Sequence, residues 1–411
     1  MNQYFVRTVD YYAGTLLCFI ISLAYGLQKI FTGKTEKIQA QNLKRILFVE
    51  LSEMGSAVIA SPAISRLKKT CQGAEIYFLI FRRNRESVML TNLIDEDKIL
   101  TIRDDSLFNF ITDLVRLFIF FRRMKFDVCI DFELFSRCTA LLNYLTGAKY
   151  KAGFHGYFTE GLYRGNFLTH KINYNPYKHM SHNFMSLVNA IINDTRGLPF
   201  PMNEEEDILV LPQRSSDLLL RKKIIEKLQS HNSAINEKSL LVIVNPLAGK
   251  YLPIRSWPLE NYIEIIKRTL AETDAFIIIT GLKDDSATGE KIKFYADPAR
   301  CINFMGETDN LFELSELFSI SKLIVTNDSG AAHFAALTPI HIICFFGPET
   351  PLLYGPMSRN CHNFHSELHC SPCLTAFNHR NTPCRDNVCL KSISPDKVFT
   401  TVKNILSGQE G

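Results

Sequence analysis

Net charge and tryptophan are what this sequence has least of. Its 46 Lys and Arg nearly cancel 42 Asp and Glu, leaving a formal charge of +4 over 411 residues. That balance excludes a dedicated nucleic-acid binder, which carries a strongly basic face or stripe. Trp257 is the only tryptophan and reads as a packing residue of a domain core. No short-period repeat and no low-complexity tract interrupts the chain. With 46% hydrophobic and 21% charged residues the composition is that of a folded protein. The length exceeds what one hydrophobic core usually supports, so two domains are expected.

Charge is absent altogether between Tyr11 and Gln28, a run rich in Leu, Ile, Phe and Tyr. As a helix it is just long enough to span a bilayer. Gly14, Ser22 and Gly26 weaken it, which keeps an interfacial or signal-anchor helix open. A cleaved signal peptide is disfavoured because no small-x-small cleavage site follows. Lys29, Lys34, Lys37, Lys44 and Arg45 follow the run, whereas only Arg7 and the amino terminus precede it. The positive-inside bias leaves the main body cytoplasmic, with membrane association expected through residues 11–28.

What is present is an alternation of short apolar strands and helices. Arg45 to Val49 reads as a strand, and the turn Leu51-Ser52-Glu53-Met54-Gly55-Ser56 opens a helix to about Lys69. Glu75 to Ile80 and Asp127 to Asp131 are further strands, with an apolar helix from Phe108 to Phe121 between them. This is the pattern of a parallel, doubly wound sheet. Phe118, Phe120 and Phe121 adjoin the basic cluster Arg122-Arg123-Met124-Lys125; core packing is preferred for the rings over contact with a membrane. That cluster and Arg82-Arg83-Asn84-Arg85 are solvated surface or sites for an anionic partner.

Near Pro199, Pro201, Pro212 and the acidic run Glu204-Glu205-Glu206-Asp207 the pattern loosens into a connector. A second array then follows: strand Leu240 to Asn245, helix Leu259 to Glu272, strand Ala275 to Thr280. It ends in a βαβ unit of strand Leu323 to Thr326, turn Asn327-Asp328-Ser329-Gly330, a small-residue helix bearing His333, and strand His341 to Phe346 broken at Gly347-Pro348. The expected organisation is an N-terminal helix with its basic flank (1–42), a Rossmann-like domain (43–205), a linker (206–239) and a second Rossmann-like domain (240–411). Two such halves make a cleft the natural site. The Asp328-Ser329-Gly330 turn offers a carboxylate, a hydroxyl and backbone N–H groups, with the His333 imidazole close by. That inventory suits a phosphorylated, hydroxyl-rich ligand, and an ordinary capped helix is the alternative.

Of 11 cysteines, seven are scattered in mostly apolar surroundings and read as core residues in a reducing compartment. The other four follow the spacing Cys370-x2-Cys373-x10-Cys384-x4-Cys389. Four thiolates so spaced suit a structural zinc site; two disulfides or reduced packing thiols are the alternatives, and His362, His365, His369 and His379 add further ligands.

In this order the motifs resemble those of glycosyltransferase family 9, the bacterial ADP-heptose:lipopolysaccharide heptosyltransferases. The residues that carry the likeness are Ile46 to Ser56; Val244-Asn245-Pro246-Leu247-Ala248-Gly249 with Arg255-Ser256-Trp257-Pro258; Asn327 to Gly330 with His333; and Phe346-Gly347-Pro348 with Gly355-Pro356. The resemblance covers about Leu43 to Leu406. It implies the two-domain GT-B architecture and inverting transfer without a catalytic metal. A nucleotide-sugar donor would sit on the C-terminal domain and a lipopolysaccharide or lipid-linked acceptor on the N-terminal one, at the cytoplasmic face of the inner membrane. By the same resemblance Asn245, Pro246 and Ala248 shape the donor loop, and Asp328, Ser329, Gly330 and His333 hold the donor. Arg255 neutralises the leaving diphosphate, while Ser52, Gly55 and Ser56 face the acceptor.

One position departs from the family pattern. Where the family has an Asp as presumed base, this chain has Ser56, which lacks useful basicity near neutral pH. Removal of the acceptor proton needs a group of suitable basicity, and Glu53 on the same turn is the expected replacement, with Glu50 as second choice. The rivals are a catalytically silent relative that binds a nucleotide sugar or glycan, and other nucleotide-sugar chemistry such as epimerisation.

Overall fold

Strands rich in apolar residues such as Leu323–Asn327, buried at every residue, form the middle of two parallel sheets. Strands covered on both faces need no polar alternation. The computed structural model describes residues 3–32, 36–155, 163–196, 209–249, 253–375, 378 and 380–409. Lys34, Pro199, Pro201, the acidic run Glu204 to Asp207 and His379 lie outside the described residues. The chain divides into two units, Met1–Val210 and Leu211–Gly411.

The first unit contains β1 (Arg45–Val49), β2 (Glu75–Phe81), β3 (Ile99–Ile102), β4 (Val128–Asp131), β5 (Tyr150–Phe154) and β6 (His170–Ile172). Its six strands lie in the order β3-β2-β1-β4-β5-β6. The second contains β7 (Leu241–Asn245), β8 (Phe276–Ile279), β9 (Cys301–Asn303), β10 (Leu323–Asn327), β11 (His341–Phe346) and β12 (Cys361–His365). Their order, β9-β8-β7-β10-β11-β12, repeats the first. In each sheet the chain reverses direction between the first and fourth strands. A crevice therefore opens at the carboxyl ends of β1 and β4, and again at those of β7 and β10.

Local chemistry explains where several elements stop. The helix after β1 is two helices, Met54–Ile59 and Ser61–Thr70, because Pro62 in the second first turn brings no N–H to continue the ladder. The Leu107–Met124 helix starts where Ser106 accepts from the Asn109 N–H at 3.1 Å. It ends at Lys125 in a left-handed conformation. Leu117 and Phe121 point into the sheet core with Leu47, Leu79 and Phe126, and Phe120 packs against them. Core packing thus accounts for Phe120 and Phe121, but Phe118 faces outward and is exposed.

The N-terminal helix is longer than residues 11–28. It runs through Gln3–Val9, a π-turn at Asp10–Gly14 and Thr15–Thr32, and its stretch Val6–Phe31 is long and apolar enough to cross a membrane. One stripe fastens it to the first unit. The Asp10 carboxylate accepts from the backbone N–H groups of Arg137 (3.0 Å) and Cys138 (2.8 Å), at the start of the Arg137–Leu145 helix. Cys18 is buried with Ala140 and Phe167.

Residues 206–239, expected to be a linker, hold the Leu218–His231 helix. Its Ile224, Ile225 and Leu228 are buried. Buried Glu316 accepts from Ser216 Oγ at 2.6 Å and from the Asp217 N–H at 3.0 Å, so this helix is part of the second unit. Of the helix's six apolar positions only Ile224, Ile225 and Leu228 are buried, and the sequence does not distinguish them from exposed Leu218 and Leu219.

Candidate functional site

In the first unit the carboxyl ends of β1 and β4 bring four carboxyl-bearing residues to one crevice. Val49 and Asp131 are register partners, so the chain leaving β1 at Glu50 passes beside Asp131 and Glu133. Glu133, buried, accepts from the N–H groups of Leu51 (3.1 Å) and Ser52 (3.0 Å) and from Ser52 Oγ (2.6 Å) with a single oxygen. Asn84 closes the other side by donating to the carbonyls of Leu51 and Ser52, both at 3.1 Å. The turn that carries Glu53 is therefore held by side chains from the segments just after β4 and after β2.

Glu53 itself is half-buried and precedes the Met54–Ile59 helix. Ser56 Oγ donates to its Oε2 at 3.1 Å. Glu50, the second choice for the base, is buried. Burial pushes its carboxyl well above the ordinary range, and Glu133, Glu53 and Asp131 push the same way. Burial also raises Glu133, against the hydrogen bonds of Ser52, and raises Asp131 against the Arg164 guanidinium that pairs with it. Buried acids crowded beside one another disfavour simultaneous ionisation. Ser52 is exposed and Gly55 half-buried on the same turn.

In the second unit the matching crevice gathers the residues from three separate stretches. Asn245 ends β7 and donates to the Thr280 carbonyl and hydroxyl at 3.2 and 3.1 Å. Asn327 ends β10; its Nδ2 donates to the Pro246 carbonyl at 2.8 Å and its Oδ1 accepts from the Trp257 N–H at 2.8 Å. The Ala248 N–H donates to Ser256 Oγ at 3.1 Å. Asn327 thereby ties the Asn245–Gly249 loop to the Arg255 loop. From the far end of the chain, Asn387 donates to the carbonyls of Ile254 (3.0 Å) and Ser256 (2.8 Å).

These ties present Arg255. Its Nη1 lies 3.2 Å from Asp328 Oδ2, while its Nε is buried without a hydrogen-bond partner. A guanidinium with one edge on a carboxylate and a dry donor left over is suited to a second anion. Asp328 is buried; its carboxylate would repel phosphate, so its evident contribution is to hold Arg255. Ser329 stands before the Gly330–Ala335 helix and makes no capping bond with its side chain. Ser329 and Gly330 are half-buried, and His333 is buried one turn on. Trp257 is core: it stacks on Phe345 at 4.3 Å and donates from Nε1 to the Ile393 carbonyl at 3.2 Å.

The four clustered cysteines follow the second crevice. Pro348 accepts from the N–H groups of Cys373 (2.9 Å) and Leu374 (2.8 Å). A Cβ on Gly347 would meet Leu390 at 2.7 Å and Cys389 Sγ at 2.8 Å. None of the four is in a disulfide. Among the described residues no group of three or more His, Cys, Asp or Glu is placed to hold a metal ion.

Sequence reading named Glu53, Arg255, Asn245, Asp328 and Ser329 but missed Glu133, Asn84, Asn387 and the role of Asn327. Position offered one signal for Glu133, which lies just beyond a strand read correctly to Asp131. Nothing local marks Asn84 or Asn387.

Comparison with known proteins gives consistent results. The profile of glycosyltransferase family 9 (heptosyltransferase) matches residues 115–382, a stretch that begins after the Glu53 turn. Lipooligosaccharide heptosyltransferase 2 of Campylobacter jejuni is 24% identical over 187 residues, 45% of this chain and 57% of that protein. The chain thus spans about half the length of that curated relative. The structure of Escherichia coli ADP-heptose lipopolysaccharide heptosyltransferase II superposes with a TM-score of 0.68 at 19% identity, covering 89% of this chain and 100% of that one. A family 9 glycosyl transferase from Veillonella parvula gives 0.70 at 17% identity over 90% and 99%. Likeness at this identity establishes the fold, two Rossmann-like domains of GT-B type.

Proposed function

The chain belongs to glycosyltransferase family 9, and from that membership we propose that it is an inverting, metal-independent transferase of heptose or a related sugar. The donor is a nucleoside-diphosphate sugar, ADP-heptose by analogy with the relatives, and the acceptor is a lipopolysaccharide or lipid-linked saccharide at the cytoplasmic face of the inner membrane. The observation that carries the reading is Arg255, fixed by Asp328 with a dry Nε to spare at the carboxyl end of a doubly wound sheet.

The chemistry follows from the two crevices taken separately. In the second unit the donor diphosphate would lie against Arg255 and the first turn of the Gly330–Ala335 helix, with the Asn245–Ala248 loop beneath. Charge develops on the diphosphate as the sugar departs, and a fixed guanidinium stabilises it most in the transition state. In the first unit Glu53 would accept the proton of the acceptor hydroxyl. That oxygen attacks the anomeric carbon from the face opposite the diphosphate; the old glycosidic bond breaks, and its electron pair leaves with the nucleoside diphosphate. Ser56 would hold the Glu53 carboxylate in place rather than act as the base.

The test is turnover with defined components. The purified protein is expected to release ADP from ADP-heptose only with a saccharide acceptor present, equally with or without a chelator. Donor binding with no release across a broad acceptor panel would favour a catalytically silent sugar-nucleotide binder. Altered sugar without acceptor would favour epimerisation.

A further inference from the structure

Two helices of the first unit carry exposed apolar faces that its crevice chemistry does not use. On the Leu107–Met124 helix, Leu107, Phe108, Ile111, Val115, Phe118 and Ile119 are exposed. They recur at three- and four-residue spacing and so form one face. Arg122 lies on it, over the Phe118 ring at 4.9 Å, and exposed Arg116 and Arg123 border it one step round the helix. The helix has one acidic residue, Asp113, which is buried and bonded to Arg103 at 2.8 Å. A cavity of 560 Å³ beside this face is lined in part by Arg82, Arg103, Arg116 and Arg123. Exposed apolar side chains flanked by Arg116, Arg122 and Arg123 match the boundary of an anionic lipid layer.

The N-terminal helix shares a packing neighbour with the Leu107–Met124 helix. Between the two sits the Arg137–Leu145 helix: its Leu142 joins the core that holds Leu117 and Phe121, and its Ala140 and Tyr144 pack around Cys18. At the other end, Tyr25 meets Tyr144 edge-on at 6.3 Å. The bonded stripe of the N-terminal helix is Asp10, Gly14, Cys18 and Ser22. Gly14 has no room for a Cβ, which would meet Arg137 at 2.9 Å, and Ser22 Oγ accepts from the Asn166 N–H at 2.7 Å. At 1.5 Å per residue the stripe is roughly 18 Å long, more than half a hydrocarbon core of about 30 Å. A crossing helix would draw Arg137 and the Asp10 cap into hydrocarbon, where polar groups are costly. Its other faces, with Tyr12, Leu16, Phe19, Leu23 and Leu27, are exposed and apolar.

We propose that the first unit rests on an anionic lipid surface through the outer faces of these two helices together, the N-terminal helix lying in the membrane plane instead of crossing it. This stands independently of the sugar chemistry, since it needs only the surface of the first unit.

Depth-resolved fluorescence quenching tests it on the full-length chain. Tryptophan is introduced singly at exposed sites, as Tyr12→Trp, Phe19→Trp, Leu27→Trp and Phe108→Trp. Tyr177→Trp, exposed before the Met180–Ile192 helix, is the control, and buried Trp257 supplies a constant background. The vesicles are phosphatidylethanolamine and phosphatidylglycerol, brominated at defined acyl positions. All four helix probes are expected at one shallow depth, about 5–10 Å into the headgroup boundary, with Tyr177→Trp unquenched. Adding Arg116→Glu, Arg122→Glu and Arg123→Glu should lower the Phe108→Trp quenching about fivefold or more. Phe19→Trp near the bilayer centre with Tyr12→Trp and Leu27→Trp shallow would establish a crossing helix and overturn the proposal. So would an unquenched Phe108→Trp, equal quenching of Tyr177→Trp, or a concentration-dependent shielding of Phe108→Trp without vesicles, which would assign the face to a second copy.

Discussion

Ser56 Oγ donates a 3.1 Å hydrogen bond to Glu53 Oε2 across the first turn after β1. Ser56, which the family resemblance sets where an Asp is expected, thus touches the carboxylate proposed as the base. Glu53→Gln is expected to lower kcat by about 10²–10⁴, the usual contribution of a positioned base. Ser56→Ala should cost about tenfold, equivalent to about 1.4 kcal/mol of positioning. In the Glu53→Gln background, Ser56→Asp should recover part of the loss by restoring a carboxylate at the neighbouring position. Steady-state kinetics with donor and acceptor separate these outcomes; unchanged turnover in Glu53→Gln removes Glu53 from the mechanism.

Arg255 is expected to tolerate neither loss nor Lys. A single ammonium cannot keep one contact on Asp328 and give a second donor to a diphosphate as the planar fork does. Arg255→Ala should lower kcat/KM by about 10²–10³, with Arg255→Lys between it and the parent. Asp328→Asn removes the counter-charge while keeping the shape, and should weaken the positioning of Arg255. Calorimetric titration with ADP and initial rates check both. An Arg255→Lys variant with parental kinetics would contradict the assigned role.

Glu50 gives a pH prediction whose sign is fixed by burial. Its folded carboxyl titrates well above the ordinary range because it is buried beside Glu133, Glu53 and Asp131. The folded state then holds the proton longer than the unfolded chain, whose Glu titrates near about 4.3. Stability is greatest below that value and falls as pH rises through the window up to the folded pKa. Glu50→Gln should flatten this slope and raise the melting temperature at neutral pH, by roughly 2–4 °C for each 1 kcal/mol relieved. Thermal melts of parent and variant across acidic to neutral pH provide the comparison; a lower melting temperature for Glu50→Gln at neutral pH would show the charged form is stabilised.

The clustered thiols should not react alike. Cys370 and Cys384 are exposed, whereas Cys389 is buried and burial raises its thiol pKa. Only the thiolate is reactive, so alkylation of the native protein at neutral pH followed by peptide mass spectrometry should modify Cys370 and Cys384 first and Cys389 last. Uniform protection of all four, released by a chelator, would instead reveal the structural zinc site that their spacing suggested.

Most of the strand framework was legible in the chain itself. β1 and β11 have the ends read from their apolar runs, and β7 and β10 differ by one residue, because central parallel strands announce themselves as continuous hydrophobic stretches. The edge strands β3, β6, β9 and β12 and the interior strand β5, none longer than five residues, were not read. The Asp328 turn, the Arg255 loop and the Glu53 turn were equally readable, since each is a contiguous motif at a strand end.

Contacts between distant segments were not readable. Glu133 gathering the Glu53 turn, Asn387 reaching the Arg255 loop across more than a hundred residues, and the pairing of Arg255 with Asp328 depend on register between strands that sequence periodicity cannot fix. The same holds for the N-terminal helix. Its length and lack of charge were set locally by the order of side chains, but its stripe of Asp10, Gly14, Cys18 and Ser22 acquires meaning only against Arg137 and Asn166. Sequence by itself determined two doubly wound sheets and a chemically equipped turn at the end of each. Tertiary structure alone decided which acid is braced, which is buried beside other carboxyls, and which apolar residues remain on the surface. Ionisation and exposure depend on what surrounds a group in space, and those neighbours come from distant parts of the chain.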